Sequence, residues 1–142
     1  MKKKDIRKII NLIAIVIVCG FGYSFWGLDF VPQNKYETTK MLPEQNEAYY
    51  VQNWCTEDFG KREFLLWDKS RCDCLTKDYA IEFDFAHKWA ESIGQSLYYA
   101  KLTKRKPAVA LILTKLTDVI YLKRLESLTD QTGIKLFIIK AY

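Results

Sequence analysis

"DYAIEFDFAHKWAESIGQSLYYA", residues 78–100, passes from a strand pattern to a helix pattern with no turn residue between them. Its first part alternates. Ile81, Phe83 and Phe85 fall on one face of an extended chain, and Glu82 and Asp84 on the other. From about His87 to Thr103 the apolar spacing becomes helical. Counted from Lys88, the side chains of Ser92, Gln95 and Tyr99 lie within about 40° of one line along the helix. Trp89, Ile93, Leu97 and Ala100 lie on its other side and are expected to pack on the sheet. A strand carrying two acids that runs directly into a helix carrying a lysine brings opposite charges to one place. Carboxylates with room for water are how proteins hold Mg2+ together with phosphate oxygens.

The flanking elements are read from the same periodicities. Residues 44–60, EQNEAYYVQNWCTEDFG, carry Tyr50, Val51, Trp54 and Cys55 at helical spacing, with Gly60 as the expected stop. Two short strands follow, REFLLWD at 62–68 and SRCDCLT at 70–76. The second pairs with YAIEFDFA, 79–86, as a hairpin through TKD at 76–78. Asp73 then faces the same side as Glu82 and Asp84. KPAVALILTK, 106–115, is a continuous apolar strand of the type buried on both faces. TDVIYLKRLESLTDQTG, 117–133, is a helix capped by Thr117 or Asp118 and ended by Gly133. IKLFIIKA, 134–141, is the last strand. The order is α-β-β-β-α-β-α-β. It predicts an α/β domain with a mixed sheet covered by helices on both sides.

The N-terminal region has a different character. Of 142 residues, 22 are basic and 17 acidic, a formal charge of +5. The segment MKKKDIRK, 1–8, holds five of the bases and one of the acids, so the remainder is 17 against 16, or +1. The basicity therefore belongs to that flank and is no argument for nucleic-acid binding by the domain. Residues 9–28, IINLIAIVIVCGFGYSFWGL, contain no charge. As a helix they reach about 30 Å, the thickness of a bilayer's hydrocarbon core. The basic flank places the N-terminus in the cytoplasm and the domain beyond the cytoplasmic membrane, in the periplasm or outside the cell. The competing reading is a leader that is cleaved to release a secreted domain. No A-x-A site is present, and Gly20-Phe21-Gly22 and Gly22-Tyr23-Ser24 are weak substitutes. Residues 29–43, polar with two prolines, read as a linker, and 44–142 as the domain. Of the four cysteines, Cys19 lies in the apolar run. Cys72 and Cys74 would share a strand face, so Cys55 with one of them is the expected bridge.

At Asp73, Glu82, Lys88, Gln95 and Tyr99 the chain resembles the PD-(D/E)XK nuclease superfamily, and the resemblance spans about residues 44–142. It implies a restriction-endonuclease-like core and a metal-dependent endo- or exodeoxyribonuclease. The implied cofactor is Mg2+, with Mn2+ as a substitute and no organic cofactor, and the implied partner is nucleic acid, DNA above all. By this resemblance Asp73 is the first metal-binding acid and Glu82 the second, with Asp84 as a further ligand. Gln95 and Tyr99 are similar to the Q-x-x-x-Y row of RecB-like members, which positions nucleic acid. Glu47 is in place for the extra acid of resolvase-like members. Two positions depart from the pattern. Cys72 stands at the name-giving proline, and Asp84 stands where the strand lysine is expected. Lys88 is placed to serve as a lysine migrated to the helix. The competing reading keeps the fold without catalysis, as a binding or interaction module.

Overall fold

The computed structural model describes residues 36–142. The basic flank 1–8, the expected membrane segment 9–28 and residues 29–35 of the expected linker lie outside the described residues. Among the described residues no helix is long and apolar enough to cross a membrane.

A six-stranded mixed sheet forms the centre, in the order β1-β6-β5-β4-β3-β2. The strands are β1 (Glu37–Lys40), β2 (Gly60–Leu65), β3 (Arg71–Thr76), β4 (Tyr79–Phe85), β5 (Lys106–Leu113) and β6 (Lys135–Lys140). The helices are α1 (Glu47–Trp54), α2 (Trp89–Thr103) and α3 (Val119–Thr132). From α1 onward this is the expected order. β4, β5 and β6 are parallel, while β2, β3 and β4 form an antiparallel meander. In β5 every residue from Ala108 to Leu113 is buried, which explains its unbroken apolar run.

The faces follow the pleat. Ile81, Phe83, Ala108, Ala110, Ile112, Phe137 and Ile139 meet Tyr50 and Val51 of α1. Val109, Leu111, Leu136 and Ile138 meet Leu122 and Leu125 of α3 on the other face, with Trp89 and Ile93 of α2 beside them. Asn46 starts α1 by accepting a hydrogen bond from the Tyr49 amide at 2.9 Å. Gly133, at φ +67°, ends α3 as expected.

Several expectations are corrected. Part of the expected linker is β1, which pairs in parallel with β6 from Glu37↔Phe137 to Lys40↔Lys140. All four of its residues are exposed, so no apolar alternation marks it. Helix α1 stops at Cys55 rather than Gly60, and Gly60 instead opens β2. A Cβ at Gly60 would stand 3.0 Å from both Cys74 Sγ and the Leu75 carbonyl oxygen, so glycine serves close approach there. The Asp118 carboxylate does not cap α3. It takes the Thr114 amide at 2.8 Å, the Thr114 hydroxyl at 3.0 Å and the Lys115 amide at 3.2 Å, fixing the preceding loop. On α2 the buried row is Ser92, Ser96, Tyr99 and Ala100, whereas Leu97 is 38% exposed. The serines are buried without penalty because each hydroxyl donates three residues back, to Trp89 O at 2.8 Å and Ile93 O at 3.0 Å.

Cys55 and Cys74 form a disulfide between the end of α1 and the middle of β3. It closes a loop with a sequence separation of 19. Replacing both cysteines by alanine should lower unfolding free energy by about 3 kcal/mol. Denaturant unfolding of the oxidised chain against the double variant checks this. An unchanged midpoint would mean that the bridge adds nothing.

Candidate active site at the β3–β4 fork

The site begins with a fault in the sheet. The β3–β4 hairpin turns on Thr76, whose hydroxyl oxygen accepts from the Tyr79 amide at 2.8 Å and the Asp78 amide at 3.2 Å. Only Leu75↔Ala80 and Cys74↔Ile81 pair beyond the turn. There the ladder ends, and the Phe83 amide donates to Asp73 Oδ2 at 2.8 Å instead of to a β3 carbonyl. β4 keeps its pairing with β5 through to Phe85. The two strands therefore fork at Asp73, and a carboxylate stands where a ladder carbonyl would be.

The fork also breaks the alternation of β3. Cys74 belongs to the α1 side, whereas Cys72 is buried with Leu66, Ala80 and Tyr99 on the α2 side. The two cysteines therefore do not share a face, contrary to the sequence pattern. Burial pushes the Cys72 thiol up to about 12, so it stays protonated at neutral pH in the metal-free chain.

The expected site residues are brought together. Glu82 is 5% and Asp84 2% exposed, on the face opposite Ile81 and Phe83. Burial pushes the Glu82 carboxyl up to about 9, and the charges of Asp73, Asp84, Glu47 and Glu63 add to that. Burial likewise pushes Asp73 up to about 7, against the pull of the Phe83 amide and with further push from Glu47, Glu63 and Asp84. Asp84 and Glu47 are both raised, first by burial, and both are drawn back by Lys88. Lys88 Nζ lies 3.4 Å from Asp84 Oδ1 and 4.0 Å from Glu47 Oε2. Asp84 Oδ1 is buried, and the Lys88 ammonium is its close charged contact. Asp84, first of all, holds the Lys88 ammonium above its ordinary range, so this lysine stays charged at neutral pH. Tyr99 is raised by burial and then by Glu82, with Gln95 beside its hydroxyl acting the other way.

Glu63 was not expected. It lies on β2 between the pairs Arg62↔Cys74 and Phe64↔Cys72, opposite Asp73, and has φ +48°. The register of the first hairpin was the signal that would have found it. Its carboxylate pairs with Arg71 at 3.4 Å.

Among the described residues no three His, Cys, Asp or Glu side chains form a group that could hold a metal ion as they stand. The donor chemistry nonetheless fits Mg2+ or Mn2+. These ions take hard oxygens and are held by one or two carboxylates, water and substrate phosphate rather than by an all-protein cage. Asp73 and Glu82 are the carboxylates that would hold such an ion. Glu82 Oε2 is buried without a hydrogen-bond partner, a position that calls for a proton or a cation. Asp84 is engaged by Lys88. Compared with known proteins, the chain matches no protein-family model, no curated protein and no solved structure.

Proposed function

We infer that residues 44–142 are a PD-(D/E)XK-type nuclease domain that hydrolyses phosphodiester bonds of DNA. The observation that carries this reading is the fork. Asp73 accepts from the Phe83 amide, and its charge and those of Asp84 and Glu47 bear on Glu82, while Lys88 pairs with Asp84 and Glu47. A divalent ion held by Asp73 and Glu82 would supply Lewis-acid polarisation of the phosphate and a bound water of lowered pKa. The chain's own groups do the rest. Asp73 is oriented by its hydrogen bond from the sheet. Lys88, kept protonated, offsets the negative charge of the pentavalent transition state rather than acting as a base. Asp84 and Glu47 hold that ammonium in position. Gln95 and Tyr99 line the α2 side and orient the backbone of the substrate.

The disulfide supports placement in an oxidising compartment. Residues 9–28 would then tether the domain beyond the cytoplasmic membrane, or be cleaved to release it. A second reading, a non-catalytic interaction module, is favoured by one observation. Lys88 already compensates Asp84 and Glu47 without a metal.

The lysine separates the two readings. Lys88→Ala should slow Mg2+-dependent cleavage of DNA by about two orders of magnitude or more. Asp84→Lys together with Lys88→Ala should restore part of that rate by returning the cation to the strand. Cleavage indifferent to Lys88→Ala would remove the migrated-lysine account.

A further inference from the structure

Trp67 is 81% exposed, and Leu65, on the other side of buried Leu66, is 63% exposed. The turn that carries this indole, residues 66–70, is clamped rather than loose. The Leu66 amide donates to Ser70 O at 2.9 Å, and the Lys69 amide to Leu66 O at 3.0 Å. Lys69 is held at φ +71°. The Asp68 carboxylate takes the Ser70 hydroxyl at 2.7 Å and its amide at 3.0 Å. It also accepts from the Tyr98 hydroxyl of α2. Leu66 anchors the turn from beneath, packed with Cys72, Ala80 and Tyr99. A rigid turn that keeps an indole in water is a presenting structure, and nothing in folding requires the ring to stand there.

The position of the turn says what it presents to. β3 runs from the turn to Asp73, so Ser70 lies about 10 Å along the strand from the first site acid. The ring of Tyr98 is 45% exposed and faces the turn through Asp68. Lys69 sits in the turn, and Lys101 is one helical turn beyond Tyr98; both are exposed. Aromatic faces interleaved with cations beside a carboxylate site are the chemistry that receives unpaired bases on a phosphate backbone. A paired duplex keeps its base faces stacked and offers none to an indole.

We propose that the 66–70 turn, with Tyr98 and Lys101 of α2, is a stacking site for single-stranded nucleic acid entering the Asp73–Glu82 site. The inference rests on the nuclease reading and names its substrate as single-stranded or splayed.

The test is anisotropy binding of short labelled oligothymidylate, and of a duplex of equal length, to the full chain in chelator, where nothing is cut. Trp67→Ala should weaken oligothymidylate binding roughly 5- to 150-fold. Trp67→Phe should recover most of it, and duplex binding should be the same for wild type and Trp67→Ala. In Mg2+, Trp67→Ala should raise KM for single strands and leave kcat near wild type. Glu82→Gln should bind oligothymidylate in a Trp67-dependent way without cutting it. Trp67→Ala binding as wild type overturns the stacking site even if the wild type cuts. Loss of binding to phosphatidylglycerol vesicles with unchanged oligothymidylate binding also overturns it, and makes Trp67 a membrane contact. Trp67-dependent binding by a wild type that never cuts supports the stacking site and removes catalysis alone. A wild type that neither binds nor cuts removes both.

Discussion

Glu82→Gln should bring Mg2+-dependent DNA cleavage to about a thousandth of the wild-type rate or less, while leaving the domain folded. The loss follows from the metal's contribution to the transition state, several kcal/mol, at about 1.4 kcal/mol for each factor of ten. Glutamine presents one weaker carbonyl oxygen where the ion needs a charged one. The fold survives because Glu82 is buried at a raised pKa and is largely protonated in the metal-free chain at neutral pH. A neutral amide of nearly the same shape replaces a carboxyl that is already neutral. Glu82→Ala is the less clean variant, because it also opens a void at a buried position on β4 beside β5. Steady-state cleavage and thermal unfolding, measured on the same preparation, check both halves. Cleavage that persists in Glu82→Gln would place the chemistry elsewhere.

The metal-free domain should lose stability as pH rises, and a divalent cation should reverse the trend. Asp73 and Glu82 are raised from ordinary values of 3.8 and 4.5 to about 7 and about 9. The folded state therefore keeps protons that the unfolded chain has released. Stability from these groups is fully present below pH ~4 and declines through the window up to pH ~9, by at most about 1.4 kcal/mol per pH unit for each proton retained. Opposing contributions from other groups shift the whole curve, so the comparison is with Glu82→Gln. That variant should be less pH-sensitive between pH 5 and pH 9, since one of the two buried carboxyls is gone. Mg2+ or Mn2+ binds the ionised pair and should raise the melting temperature more at pH 8 than at pH 5. A wild type whose stability rises over this window in step with Glu82→Gln, with no effect of metal, would contradict the buried-acid account.

The strand-to-helix run around residues 78–100 was legible because its period changes from two to 3.6 at a single point. That change fixed the face of Glu82 and Asp84 and the approach of Lys88. β5 was legible from its unbroken apolar run. What the sequence concealed had physical causes. β1 is exposed at every position, so it carries no pattern. The buried face of α2 is built from Ser92 and Ser96, and hydroxyls that bond back to their own helix look polar in a periodicity count. Cys72 left the face of Cys74 because alternation fails at the fork, and no residue type announces a fork. Glu63 was hidden because its place opposite Asp73 depends on the β2–β3 register rather than on its neighbours in sequence. The acid site was therefore readable where it lies within one continuous run, and unreadable where it depends on pairing between strands.

Asp73 and Glu82 are the pair proposed to hold a divalent ion together. Titration of the full chain with Mn2+ near pH 7, followed by calorimetry in buffers of different ionisation enthalpy, tests it most directly. A single site per chain that releases protons on binding is expected, because the carboxyls must ionise to take the metal. Binding should be lost in both Asp73→Asn and Glu82→Gln and retained in Lys88→Ala. A chain that binds no Mn2+, or binds it equally well without Glu82, would contradict the account and leave the interaction module as the reading of this fold.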